Sequence, residues 1–164
     1  MTQPSGIASS ARLLLHAPGY VQGWQEPVIV ANPAPGAGFA HTTPGQYSER
    51  LYAVTFRLTT SIVVANRVPV MQLTDNNGVR VTAGKAGGAV VASTVLRANL
   101  CITTPVDPGG IAGDTFGYLP DVLVPPGWTW TLNVGGIDAG DQVDLIMLLV
   151  QRFPSDITTI SAVS

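Results

Sequence analysis

The chain has 164 residues, ten of them acidic and eight basic, for a net charge of −2, and only 11% of its residues are charged. That balance excludes an unaided nucleic-acid binder, which needs a surplus of cations to displace counterions from phosphate, and it leaves no polybasic membrane anchor. Val, Ile and Thr together supply 45 residues, with 18 Gly and 13 Pro, a β-rich and turn-rich mixture unlike that of a helical bundle.

Residues 1–46 hold six of the prolines and long stretches of Ala, Gly, Ser and Thr. Ser9 to His16 has the makings of a helical turn or two, with Ser9 or Ser10 as N-cap and Gly19 beyond the end. Val28-Ile29-Val30 suits a short strand, whereas Asn32 to Pro44 is broken in every window by Pro or Gly. The expectation for 1–46 is an extended arm or edge-covering segment. Its anchors against a neighbour would be Leu13, Leu14, Leu15, Tyr20, Trp24 and Phe39, side chains that are costly to leave in water. The N-terminus does not read as a signal peptide, because His16, Pro18 and Gly19 cut the Leu13–Leu15 run short.

From Tyr47 the hydrophobic period becomes two. Tyr52, Val54, Phe56 and Leu58 fall on one face of a strand over 51–60. A second run, 62–73, contains Pro69, which implies an edge position or a bulge. It ends at Asp75-Asn76-Asn77-Gly78, where Asn and Gly accept positive φ cheaply and signal a hairpin. Residues 79–82 return as a short strand, and 83–88 read as a Gly-rich loop. Residues 90–104 alternate over a length that demands a bend or break. Two further strands, 116–124 and 128–134, flank Pro125-Pro126-Gly127. The last strand, 143–153, is apolar on both faces over Leu145 to Val150, placing it centrally in a sheet or at a subunit contact. That run of six is the longest apolar stretch, far short of the roughly 20 residues of a membrane helix. Seven or eight strands and little helix predict an all-β chain: an antiparallel β-sandwich over 47–153, an irregular arm before it and a polar tail over 154–164.

Reactive groups are sparse. No G-x-S-x-G elbow is present. Gly84-Lys85-Ala86 lacks the upstream Gly and the following Ser or Thr of a phosphate loop. His16 and His41 are too few for a cupin-type metal site. Cys101 stands alone in an alternating strand, so no internal disulfide forms, and nothing signals an oxidising compartment. Asp138, Asp141 and Asp144 surround a turn without the spacing of an EF-hand. Trp24, Trp128, Trp130 and Tyr118 offer a sugar-stacking platform, but the aliphatic face shared by Trp128 and Trp130 favours core packing. The expectation is therefore no enzyme, no cofactor and no metal. A charge-poor chain with two-faced apolar strands fits a subunit whose surface is used up by neighbours.

Particular segments carry a resemblance. They are Phe56-Arg57-Leu58-Thr59-Thr60-Ser61, Ala65-Asn66-Arg67, Leu73 to Gly78, Leu123-Val124-Pro125-Pro126-Gly127 and Ile137-Asp138-Ala139-Gly140-Asp141-Gln142. Over Tyr47 to Phe153 the chain resembles jelly-roll-type virion structural proteins of tailed bacteriophages. The resemblance implies a particle role, with the major capsid protein or other virion proteins as partners, assembly in the host cytoplasm and localisation in the virion. A capsid decoration or minor capsid protein, homo-oligomeric and by preference trimeric, is the first expectation. A neck or tail component, or a carbohydrate-binding module for host attachment, is the alternative.

Overall fold

A computed structural model describes residues 13–14, 23–103 and 114–154. They form β1 (Leu13–Leu14), β2 (Trp24–Ile29), β3 (Ala40–Thr42), β4 (Tyr47–Thr59), β5 (Val68–Thr74), β6 (Arg80–Lys85), β7 (Val95–Cys101), β8 (Asp114–Tyr118), β9 (Leu123–Val124), β10 (Thr129–Gly135) and β11 (Gln142–Pro154). No helix lies among the described residues, and none there is long and apolar enough to cross a membrane. Three of these strands have only two or three residues, too few to leave a period in the sequence.

Sheet A runs β1-β2-β11-β4-β7-β8, with β9 also paired to β4, and sheet B runs β3-β10-β5-β6. Number the eight principal strands β2, β3, β4, β5, β6, β7, β10 and β11 in chain order. The four in sheet A then lie in the order first, eighth, third, sixth, and those in sheet B second, seventh, fourth, fifth. This is a jelly roll: consecutive strands cross between sheets except at the β5–β6 hairpin, and the last inserts beside the first. The expected β-sandwich is thus the fold. All the pairings are antiparallel except β7–β8, which is parallel.

The core between the sheets follows the predicted alternation. Val54, Phe56 and Leu58 of β4, Ala98 and Leu100 of β7, Met71 and Leu73 of β5, and Trp130, Leu132 and Val134 of β10 all point inward and are buried. Two bulges then reset the phase. Leu149 lies opposite Ala53, but Val150 lies opposite Leu51, so Tyr52 is the extra residue and Leu51 and Glu49 turn inward before it. Tyr52 therefore does not share the face of Val54, as the period of two suggested. On β11, Asp144 pairs Arg57 and Met147 pairs Thr55, leaving Leu145 and Ile146 opposite a single residue. Leu145 takes up the kink at φ 50°, a conformation that costs a γ-branched residue of order 1–3 kcal/mol. As a result Val143, Ile146, Leu148 and Val150 face the core, while Leu145 and Met147 face solvent.

Other expectations change in detail. Leu13 and Leu14, within the segment expected to be helical, pair as strand with Gln25 and Trp24; the rest of that segment lies outside the described residues. Residues 61–66 are loop rather than strand, and β5 begins only at Val68. Pro69 is not on an edge strand, since β5 has β10 on one side and β6 on the other. The β6 ladder stops at Val70, next to Pro69, so the missing N–H falls at the end of that ladder. Gly84 and Lys85 lie in β6, not in a loop. The 90–104 run breaks as anticipated, at Ser93 with φ 55°. The hairpin at 75–78 forms, with Asp75 Oδ1 accepting from the Asn77 and Val79 amides, both at 2.8 Å. The open side of the sandwich closes where β6 meets β8. A Cβ on Gly84 would lie 2.5 Å from the Tyr118 carbonyl oxygen, and one on Gly117 2.5 Å from that of Lys85, so only glycine lets these edges touch.

Candidate functional site

The six expected arm anchors separate into different environments. Leu15 and Tyr20 lie outside the described residues, and Leu13 and Leu14 contribute backbone pairing at the edge of β2. Trp24 sits on β2, where its indole Nε1–H donates to Glu26 at 2.9 Å and its ring meets Tyr47 edge-on, with centroids 5.0 Å apart. Phe39 is 4% exposed and packs against Phe56 in the core of its own chain. Residues 24–42, inside the segment expected as an arm or edge cover, supply β2 to sheet A and β3 to sheet B. The short strand expected at Val28-Ile29-Val30 overlaps the end of β2, which starts earlier and takes in Pro27, whereas β3, three residues long, left no period to read.

The chemically richest cluster joins two of the resemblance segments. Arg67 and Asp141 are both fully buried. Arg67 Nε–H donates to Asp141 Oδ2 at 2.9 Å and an Nη2–H to Oδ1 at 3.0 Å. The other Nη2–H reaches Ser61 Oγ, and Nη1 donates to the carbonyls of Val63 and Ala65. Asp141 also accepts from the amides of Ser61 and Asp138. All five guanidinium donors and four carboxylate lone-pair sites are thereby satisfied, the condition under which a buried pair is tolerated. Burial pushes the Asp141 carboxyl up, but hydrogen bonds from Arg67, Ser61 and Asp138 outweigh it and lower its pKa to about 2. Asp138 in turn accepts from Gly140 N–H and Ser61 Oγ–H, which hold its carboxyl below the usual range. The network ties the loop between β4 and β5 to the turn entering β11. At the tip of that loop Ile62 is 85% exposed and Val64 93%.

A second network fills the interior near the start of β2. Glu49, 1% exposed, lies 2.7 Å from His41 Nε2 and accepts from Arg152 Nε–H at 2.7 Å. Arg152 also pairs with Glu26 and lies over the Tyr47 ring. Burial raises the Glu49 carboxyl, yet the hydrogen bonds from His41 and Arg152 leave it below its ordinary value. His41 and Glu49 are thus committed to joining β3 of sheet B to β4 and β11 of sheet A; His16 lies outside the described residues.

The other residues singled out from the sequence do not converge. Asp144 pairs with Arg57 and Asp141 with Arg67, while Asp138 accepts from Ser61 and Gly140, and no group of three potential metal ligands occurs among the described residues. Trp130 is buried and Trp128 packs on the core, while Tyr118 is 57% exposed at the far edge of sheet A; the four aromatics form no common platform. Cys101 is a free, half-buried thiol whose S–H donates to the Thr103 carbonyl. Arg67 and Asp141 escaped notice as a site because 74 residues separate them. The available signal was a lone Arg67 among small residues and, at Asp141, an aspartate in a turn with Asp138 and Asp144. Comparison with protein-family models, with curated proteins and with solved structures finds no match for this chain.

Proposed function

We propose that the protein is a non-enzymatic structural component of a virus particle, a capsid decoration or minor capsid protein that stabilises a phage head through protein–protein contacts. The observation that carries this reading is the loop tip Ile62-Val63-Val64, aliphatic, solvent-exposed and held by a buried ion pair with every donor satisfied. A hydrated functional loop would not need that support; a preformed contact element does, because ordering it beforehand lowers the entropy cost of docking. The jelly roll adds an architectural analogy, since viral capsid domains use it often, although lectins and cupins do too. Scarce surface charge and outward aliphatics fit a subunit normally covered by neighbours.

The test is a reconstruction of particles assembled with and without the protein, repeated with the Ile62→Ser/Val64→Ser double variant. Density on the shell lattice that the variant fails to supply, while remaining folded, supports the reading. Density at the unique vertex moves the protein to the neck or tail. Absence of particle binding by the wild-type chain refutes the proposal.

A further inference from the structure

The outer face of sheet A carries two adjacent rows of mainly apolar side chains. Read across β2, β11, β4, β7 and β8, one row is Ile29, Met147, Thr55, Asn99 and Phe116, and the next is Pro27, Leu149, Ala53, Cys101 and Tyr118. Ile29 is 84% exposed, and the bulge turns Leu145 outward beside Met147. The corresponding face of β10 in sheet B carries Thr129, Thr131 and Asn133. Above the apolar rows runs a row of charges, Asp144, Arg57, Arg97 and Asp114. Arg57 and Arg97 are directly opposite one another, and only Arg57 takes part in an ion pair among the described residues. Like charges in that position are unfavourable.

We propose that this face is a homotypic docking surface, on which two copies of the chain pack sheet A against sheet A about a two-fold axis along β4. The proposal deepens the contact role above and rests on it only for its biological setting. Three features favour a second copy. The charge row holds two carboxylates and two guanidiniums and is neutral as a whole; the axis sets Arg57 over Arg57, each already paired with the Asp144 of its own chain. Because β11 and β7 flank β4, the axis lays Asp144 of each copy over Arg97 of the other, so the carboxylate that pairs with Arg57 in its own chain also meets a guanidinium that has no ion pair among the described residues. It also lays Ile29 over Phe116 and Pro27 over Tyr118. Finally, five strands about 4.8 Å apart, with three outward rows, present about 500 Å² per copy; two such faces reach the roughly 1,000 Å² at which specific interfaces begin.

Sedimentation velocity on the full chain over a range of concentrations tests this. The wild type is expected to sediment as a concentration-dependent dimer. Met147→Glu and Arg97→Glu should each weaken dimerisation at least tenfold, while Thr131→Glu on sheet B leaves it unchanged. Leu145→Gly guards against misfolding, because glycine accepts the positive φ: it should keep or raise the melting temperature yet weaken the dimer. A monomer at concentrations of order 100 μM, or an assembly of any order that these substitutions do not disturb, overturns the proposal. Particle binding measured on the same variants separates the two readings. A monomer that still decorates shells refutes only the homotypic face, and a dimer that binds no particle refutes only the virion role.

Discussion

Replacing Asp141 with alanine leaves the Arg67 guanidinium fully buried with two donors unpaired, and orphans the amides of Ser61 and Asp138 as well. Breaking a buried pair by removing one partner typically costs about 3–5 kcal/mol, a large share of the roughly 5–15 kcal/mol that holds a domain together. Equilibrium urea unfolding should therefore show a midpoint lowered by that loss divided by the slope, with the slope itself unchanged. Arg67→Met alone is expected to cost a similar amount, because Asp141 then becomes the uncompensated charge. The double variant should cost less than the two single losses combined, with a coupling energy of about 2–3 kcal/mol in the mutant cycle. It should not recover wild-type stability, since the Val63 and Ala65 carbonyls still lack their donors. A loss below about 1 kcal/mol for Asp141→Ala, or strict additivity in the cycle, would refute the claim that this network holds the loop through the buried pair.

Four further outcomes are expected. Because the Asp141 carboxyl is lowered from 3.8 to about 2 in the fold, its stabilising contribution is complete above the ordinary carboxylate pKa and is lost as pH falls from about 4 to 2; acid titrations of stability should be shallower in Asp141→Asn. Phe39→Ala should cost about 3–5 kcal/mol in thermal or urea unfolding, whereas an arm anchor would leave stability untouched and lose only binding. Gly38→Ala places a Cβ 1.7 Å from the Leu132 carbonyl oxygen and should destabilise by more than about 2 kcal/mol, against within about 0.5 kcal/mol for Gly45→Ala, which meets nothing. Deleting 1–46 removes β2, β3 and Phe39 and should abolish cooperative unfolding, while deleting 1–22 removes only the two-residue β1 among described strands and should preserve it.

Fold class was legible because alternation over 54–58, 96–102 and 128–134 survives intact in the structure, and because the Asp75–Gly78 turn carries its own backbone chemistry. The faces were not fully legible, because a bulge inserts one residue without any compositional mark. Tyr52 and Leu145 look like ordinary members of apolar runs, yet each reverses which neighbours point inward. The apolar stretch 145–150 was correctly read as central; its two apolar faces correspond to a core on one side and the exposed Leu145 and Met147 on the other. Long-range ion pairs were beyond sequence reasoning. Nothing local tells Arg67 to meet Asp141, or Glu49 to gather His41 and Arg152, since their juxtaposition depends on which strands cross between the sheets.

The insertion of β11 between β2 and β4 has a consequence for how the chain is made. Every other described strand of the sandwich leaves the ribosome before the one that fills the middle of sheet A, so β2 and β4 wait with open hydrogen-bonding edges until residues 142–154 have been made. Closure that waits on a strand so distant in sequence from β2 makes folding slow and leaves the unpaired edges exposed to aggregation. Synonymous changes that slow elongation ahead of residue 142 should therefore lower soluble yield without altering the finished molecule.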